Sequence, residues 1–140
     1  MSLRLVPPIH RATHRIGLYL AGLREDGLSQ GEAHILAHLA TSSPASVKDL
    51  HRGLAHKRST LTSILDRLAA RGLITRAVGA DDRRTFIITV TPRGGQAARR
   101  VHRRLKNLEE AVGKKVTAAD VKVFLKVLAA VEEEAHQRTP

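Results

Sequence analysis

"HKRSTLTSILDRLAARGLITRAVGADDRRTFIITVTPRG", residues 56–94, changes its hydrophobic period partway along, and that change decides the fold. From about Lys57 to Ala70, the residues Leu61, Ile64, Leu65 and Leu68 recur at i, i+3, i+4 and i+7, which gathers them on one face of a helix. The opposite face then carries Ser59, Thr62, Ser63 and Asp66, bordered by Arg58, Thr60 and Arg67. Gly72 ends the helix, because glycine takes up the left-handed conformation of a helix C-terminus without a steric penalty. Beyond it, "LITRAV" and "TFIITVT" are rich in β-branched residues, and Phe86, Ile88 and Val90 alternate with Thr85, Ile87 and Thr89 as in a strand. Between them, "GADDRR" is too long and too charged for a tight hairpin turn, so it predicts a loop projecting from two strands.

Upstream, "SVKD" sets Ser46 and Asp49 in capping-box register and opens a short helix that ends near Gly53. Two short helices joined by a turn of three or four residues form a helix-turn-helix, whose second helix reads the major groove. "SQGE" repeats the register with Ser29 and Glu32 and starts a helix to about Ala40, and "TSSPAS" reads as a loop. Residues 8–24 place Ile9, Ala12, Ile16, Tyr19, Leu20 and Leu23 on one helical stripe, with Gly22 and Gly27 as breaks after it. Downstream, Thr91 and Pro92 open a helix to about Gly113, since proline is tolerated in a first helical turn. Thr117 and Asp120 cap a last helix whose Val121, Phe124, Leu125, Val127, Leu128 and Val131 form a face too wide for one small neighbour. The expected fold is mainly α with a small β-hairpin wing. A winged helix-turn-helix at residues 29–91 is flanked by dimerisation helices at 8–24 and 92–137, in a single domain of residues 1–140.

Charge points to a partner. The net charge is +11, and all of it lies in residues 46–106, which hold fifteen Lys or Arg against four Asp, leaving nine basic and nine acidic residues elsewhere. Such a segment suits a phosphate surface, where neutralised phosphates release counterions. Single-strand and RNA binders stack bases on aromatic rings, and Tyr19, Phe86 and Phe124 are the whole aromatic complement. Duplex DNA is the expected partner.

Other classes fare worse. The sequence has no cysteine, which removes disulfides, thiolate zinc sites and thiol redox signalling. Two prolines interrupt "MSLRLVPPIHR" before any apolar run long enough for a membrane span, so a cytoplasmic protein without membrane partners is expected. Neither a nucleophile with spaced His and Asp partners nor a phosphate-cradling glycine loop is recognisable, so the chain is read as no enzyme and as needing no cofactor. His10 and His14 stand four apart, as do His34 and His38, the spacing that aims two imidazoles at one metal. A metal-responsive junction of these four therefore stands as one alternative, although no firm metal ligand set is assigned. A sequence-indifferent architectural DNA binder is another.

The order of helices, the segment "KRSTLTSILDRLAARGLITR" and above all the wing pattern Asp82-x-Arg84 followed by Val90, Thr91 and Gly94 resemble the MarR-type winged-helix transcription regulators. Val90 stands where leucine is more usual in that family. The resemblance covers essentially the whole chain and implies a homodimeric repressor of a pseudo-palindromic operator. It further implies that Arg84 is the wing arginine entering the minor groove and that Asp82 fixes the loop around it. With the charge distribution, the expected DNA-binding set is Lys57, Arg58, Ser59, Thr60, Thr62, Ser63, Arg67, Arg83 and Arg84. A small anionic or aromatic effector is implied at a junction lined by Tyr19, His34 and His38.

Overall fold

The structure is a computed structural model that describes residues 2–22, 27–54, 57–80 and 85–140. Among these residues the order is α1 (Val6–Leu20), α2 (Gln30–Ser42), β1 (Ala45–Ser46), α3 (Val47–Leu54), α4 (Arg58–Ala70), β2 (Ile74–Val78), β3 (Phe86–Val90), α5 (Pro92–Gly113) and α6 (Ala118–Gln137). The chain forms two compact units, Met1–Arg104 and Leu105–Pro140. The expected fold class is the observed one, helices with a small antiparallel sheet in the order β1-β3-β2.

The first unit is built around α4. Leu61, Ile64, Leu65 and Leu68 are all buried, and each large aliphatic side chain removed from water contributes about 1.5–3 kcal/mol before entropy is subtracted. They pack with Ile35, Leu36 and Leu39 of α2, Leu50 of α3, Ile88 of β3 and Ala97 and Ala98 of α5. Gly72, at φ +73°, closes α4. The Leu73 amide donates to the Leu68 carbonyl at 3.0 Å and the Gly72 amide to that of Ala69 at 3.0 Å, which satisfies carbonyls the helix end leaves open.

Several local features differ from the sequence reading. Helix α1 starts at Val6, because proline fits the first helical turn, and it ends at Leu20 rather than 24. Residues 23–26 lie outside the described residues. The last two residues of "TSSPAS" are a strand, Ala45 pairing with Ile88 and Ser46 with Ile87, a segment too short to show any periodicity. Ser29 accepts from the Glu32 amide at 3.2 Å, but the Glu32 carboxylate goes to arginines of α4 and the residue beyond it instead of completing a capping box.

The second unit holds the end of α5 and the whole of α6. At the start of α6 the box is complete, Thr117 donating its amide to Asp120 at 2.9 Å and accepting the Asp120 amide at 3.1 Å. The backbone hydrogen bond from Thr117, then its side-chain hydrogen bond, holds the Asp120 carboxyl below its ordinary 3.8. A lowered folded value means stabilisation that is present above the unfolded pKa and is lost as pH falls through the lower folded one. Thr117→Ala is expected to move the Asp120 titration upward toward 3.8, read from its side-chain carboxyl chemical shift; an unmoved titration would rule out the hydroxyl as a contributor. Val112, Val116, Val121, Val123, Phe124 and Leu125 of this unit are exposed, so its apolar face has no cover within the unit.

Candidate nucleic-acid interface

Helix α4 is divided lengthwise. Its buried seam fixes its roll on the core, and that roll leaves Arg58, Ser59, Thr60, Thr62, Ser63, Asp66 and Arg67 exposed. Lys57 precedes the helix in extended conformation and is exposed as well. The expected reading residues are therefore gathered on one surface, short hydroxyls between cations, a combination that reaches base edges and phosphates. Asp82, Arg83 and Arg84, expected at the wing tip, lie outside the described residues, as does His56.

Within that surface two sets of side chains are held differently. Arg67 donates to the Ser63 hydroxyl at 3.1 Å and lies 3.7 Å from the Glu32 carboxylate. Arg71 donates to the other Glu32 oxygen at 2.9 Å and to the Gly27 carbonyl at 3.1 Å. Glu32 is 5% exposed, and a buried carboxylate is tolerated only when cations and hydrogen bonds compensate it. It clamps the first turn of α2 to the end of α4. Arg67 thus has a structural role beside the phosphate-binding one expected of it. Asp66 pairs in turn with Arg76 of β2 at 2.6 Å, fixing the reading helix to the wing. Sequence reasoning missed Glu32, Arg71 and Arg76. Glu32 in first-turn position explained itself as a cap, and opposite charges ten positions apart carry no helical signal.

The wing is anchored at its base. The Thr91 hydroxyl donates to the Gly72 carbonyl at 2.7 Å and accepts the Gly94 amide at 3.0 Å, while the Thr91 amide donates to the Leu73 carbonyl at 3.1 Å. A Cβ on Gly94 would fall on the Leu73 carbonyl oxygen. Thr91 and Gly94 of the motif therefore serve the joint between β3, α5 and the end of α4.

A cavity of about 450 Å³ opens beside α4, walled by Ile16 and Leu20 of α1, His34 of α2, Leu54 of α3, and Thr60 and Ile64 of α4. Of the three residues expected at an effector junction, His34 lines it. Tyr19 and His38 do not. The Tyr19 hydroxyl donates to the Arg104 carbonyl at 2.8 Å and the Arg104 Nε to the Tyr19 carbonyl at 2.9 Å. The Arg104 guanidinium stacks over the Tyr19 ring at 4.1 Å, a cation–π contact that ties α1 to α5. His38 is half-buried beside Gly53, and His10 and His14 of α1 are both exposed. Among the described residues no three His, Cys, Asp or Glu side chains are gathered as a metal site would need, so the four-histidine junction is not assembled.

Comparison with known proteins follows the same lines. Residues 28–86 match the model of the MarR family. An uncharacterized HTH-type transcriptional regulator of Bacillus subtilis (strain 168), YwhA, is 28% identical over 95 residues, 68% of each chain. Among solved structures, S. aureus MepR in its DNA complex superposes with a TM-score of 0.82 at 16% identity, covering 96% of this chain and 99% of that one. PcaV of Streptomyces coelicolor, in complex with its natural ligand, superposes with a TM-score of 0.77 at 18% identity, covering 96% and 99%.

Proposed function

We propose that this chain, whose residues 28–86 match the model of the MarR family, is a homodimeric repressor of a pseudo-palindromic operator, released by a small anionic or aromatic effector. Its class is that of a transcription regulator, a DNA-binding protein and not an enzyme. The observation that carries the finer reading is the lengthwise division of α4, four buried aliphatic residues against an exposed basic and hydroxylic face. Lys57, Arg58, Ser59, Thr60, Thr62, Ser63 and Arg67 meet the major groove, and Arg83 and Arg84 the minor groove, where negative potential favours arginine. Asp82 supports the wing arginine.

Exposed apolar groups support a dimer of this kind. In the first unit Leu3, Leu5, Val6, Ile16 and Leu18 face solvent, and in the second Val121, Phe124 and Leu125 do. Large apolar side chains exposed in number on each unit favour burial against a partner. A two-fold dimer presents its two reading helices to half-sites about one helical turn apart. The effector enters the cavity beside His34, whose wall includes Thr60 and Ile64 of the reading helix. An effector that prefers a spacing unable to fit DNA lowers affinity by its differential binding to the two states. Among the described residues no helix is long and apolar enough to cross a membrane.

The test is fluorescence anisotropy with the duplex upstream of the protein's own gene against a scrambled duplex, over a salt series. Preference for the native duplex, with a steep salt slope on both, is expected. Equal affinity for the two would replace the repressor reading with an architectural one. Arg84→Ala is expected to weaken native-duplex binding by roughly 1–3 kcal/mol with the dimer intact.

A further inference from the structure

Val78 and Phe86 face each other directly across β2 and β3, in the register that also pairs Arg76 with Ile88 and Ile74 with Val90. Side chains alternate along a strand, so these six residues share one face of the hairpin. At the base of that face Ile74 and Ile88 are buried in the core. Directly opposite Ile88, Arg76 reaches Asp66 of α4 at 2.6 Å, which puts the reading helix on this side of the sheet. Beyond Arg76 the face ends in Val78, 54% exposed, and Phe86, 51% exposed. The far end of the hairpin, beside the strand-connecting loop, thus carries an apolar pair on the side of the reading helix. Phe86 is also the one aromatic residue in the basic segment 46–106.

We propose that Val78 and Phe86 form an apolar contact with the deoxyribose wall of the DNA groove that the wing enters. This deepens the DNA-binding reading of the preceding subsection and rests on it. Continuity favours DNA as the occupant: the pair is reached from the basic, hydroxylic face of α4 through the Asp66–Arg76 bridge, with no acidic side chain on that strand face. Sugar edges are the less polar part of a duplex surface, where an apolar side chain can pack while neighbouring cations take the phosphates. The contact displaces water from the ring and from Val78 without releasing a counterion. Its contribution to affinity is therefore independent of salt, unlike that of the arginines around it.

The experiment is anisotropy of the full chain with its native duplex across a salt series, for wild type, Phe86→Ala, Phe86→Leu and Arg84→Ala, with sedimentation and thermal unfolding of each protein. Phe86→Ala is expected to weaken binding about tenfold at every salt concentration, with an unchanged slope of log K against log salt. Phe86→Leu restores most of the loss, and Arg84→Ala lowers the slope. Because Phe86 is half exposed, the melting temperature and the dimer stay as in wild type. Undiminished affinity in Phe86→Ala beside a weakened Arg84→Ala would overturn the apolar contact and leave the regulator reading standing. A changed slope, or a dimer weakened by Phe86→Ala, would overturn it too, assigning the ring to loop electrostatics or to a second copy of the chain. Wild-type protein that binds no duplex overturns both readings.

Discussion

Gly94→Ala is expected to destabilise the first unit by about 3 kcal/mol or more, the upper range for forcing extra volume into a packed site. The added methyl would occupy the position of the Leu73 carbonyl oxygen, and a backbone carbonyl cannot swing aside as the end of a flexible side chain does. The first turn of α5 must move away from β2. That movement breaks the Thr91 amide bond to Leu73 and the Thr91 hydroxyl bond to Gly72, which hold the wing's base to the end of the reading helix. Urea unfolding followed by circular dichroism measures the loss. A shift of the midpoint no larger than that of an exposed helical substitution would mean that the close approach is unimportant. Gly95→Ala is the control, because its Cβ would meet nothing nearer than 3.6 Å.

Glu32→Ala is expected to cost about 2–3 kcal/mol, less than the full penalty for breaking a buried ion pair because both arginine partners keep contact with water. Its carboxylate lies 2.9 Å from Arg71 and 3.7 Å from Arg67, so the substitution frees the end of α4 from the start of α2. Binding to the native duplex weakens as well, since Arg67 loses the partner that orients it on the reading face. Glu32→Gln keeps the shape and one acceptor without the charge, and is expected to recover less than half of the loss. Equal unfolding midpoints for Glu32→Ala and wild type would show that the clamp contributes nothing to stability.

The sequence reading succeeded where local chemistry and tertiary demand agree. The seam of α4 is a four-residue pattern on one helix, and burial follows it. Serines and threonines ahead of α2, α3 and α6 mark helix starts that the structure keeps, by hydrogen bonds to the amides of Glu32, Asp49 and Asp120. It fell short where a residue's role is set by a partner far along the chain. Glu32 and Arg71 are 39 positions apart, and Tyr19 and Arg104 are 85, separations at which periodicity says nothing. The cavity beside α4 draws on four helices at once, so the i, i+4 histidines suggested a shared site that the packing divides. The two residues of β1 owe their strand to Ile87 and Ile88, and alone they carry no signal.

The unequal tethering of α4 has an evolutionary consequence. Asp66 and Arg67 each carry a bond to another element, Arg76 of β2 and Glu32 of α2, and Ser63 accepts from Arg67. On the DNA-binding reading proposed above, a lineage that varies one of them changes stability and DNA preference at once, and selection on one constrains the other. Arg58, Ser59 and Thr62 stand exposed at the opposite end of the same helix, where substitutions leave the core's area and the clamp untouched. On the same reading, operator preference is free to drift through the N-terminal turns of the helix, while its C-terminal turn changes only with compensation in α2 or β2. Paralogues of this chain that have acquired new operators should differ first at those early positions.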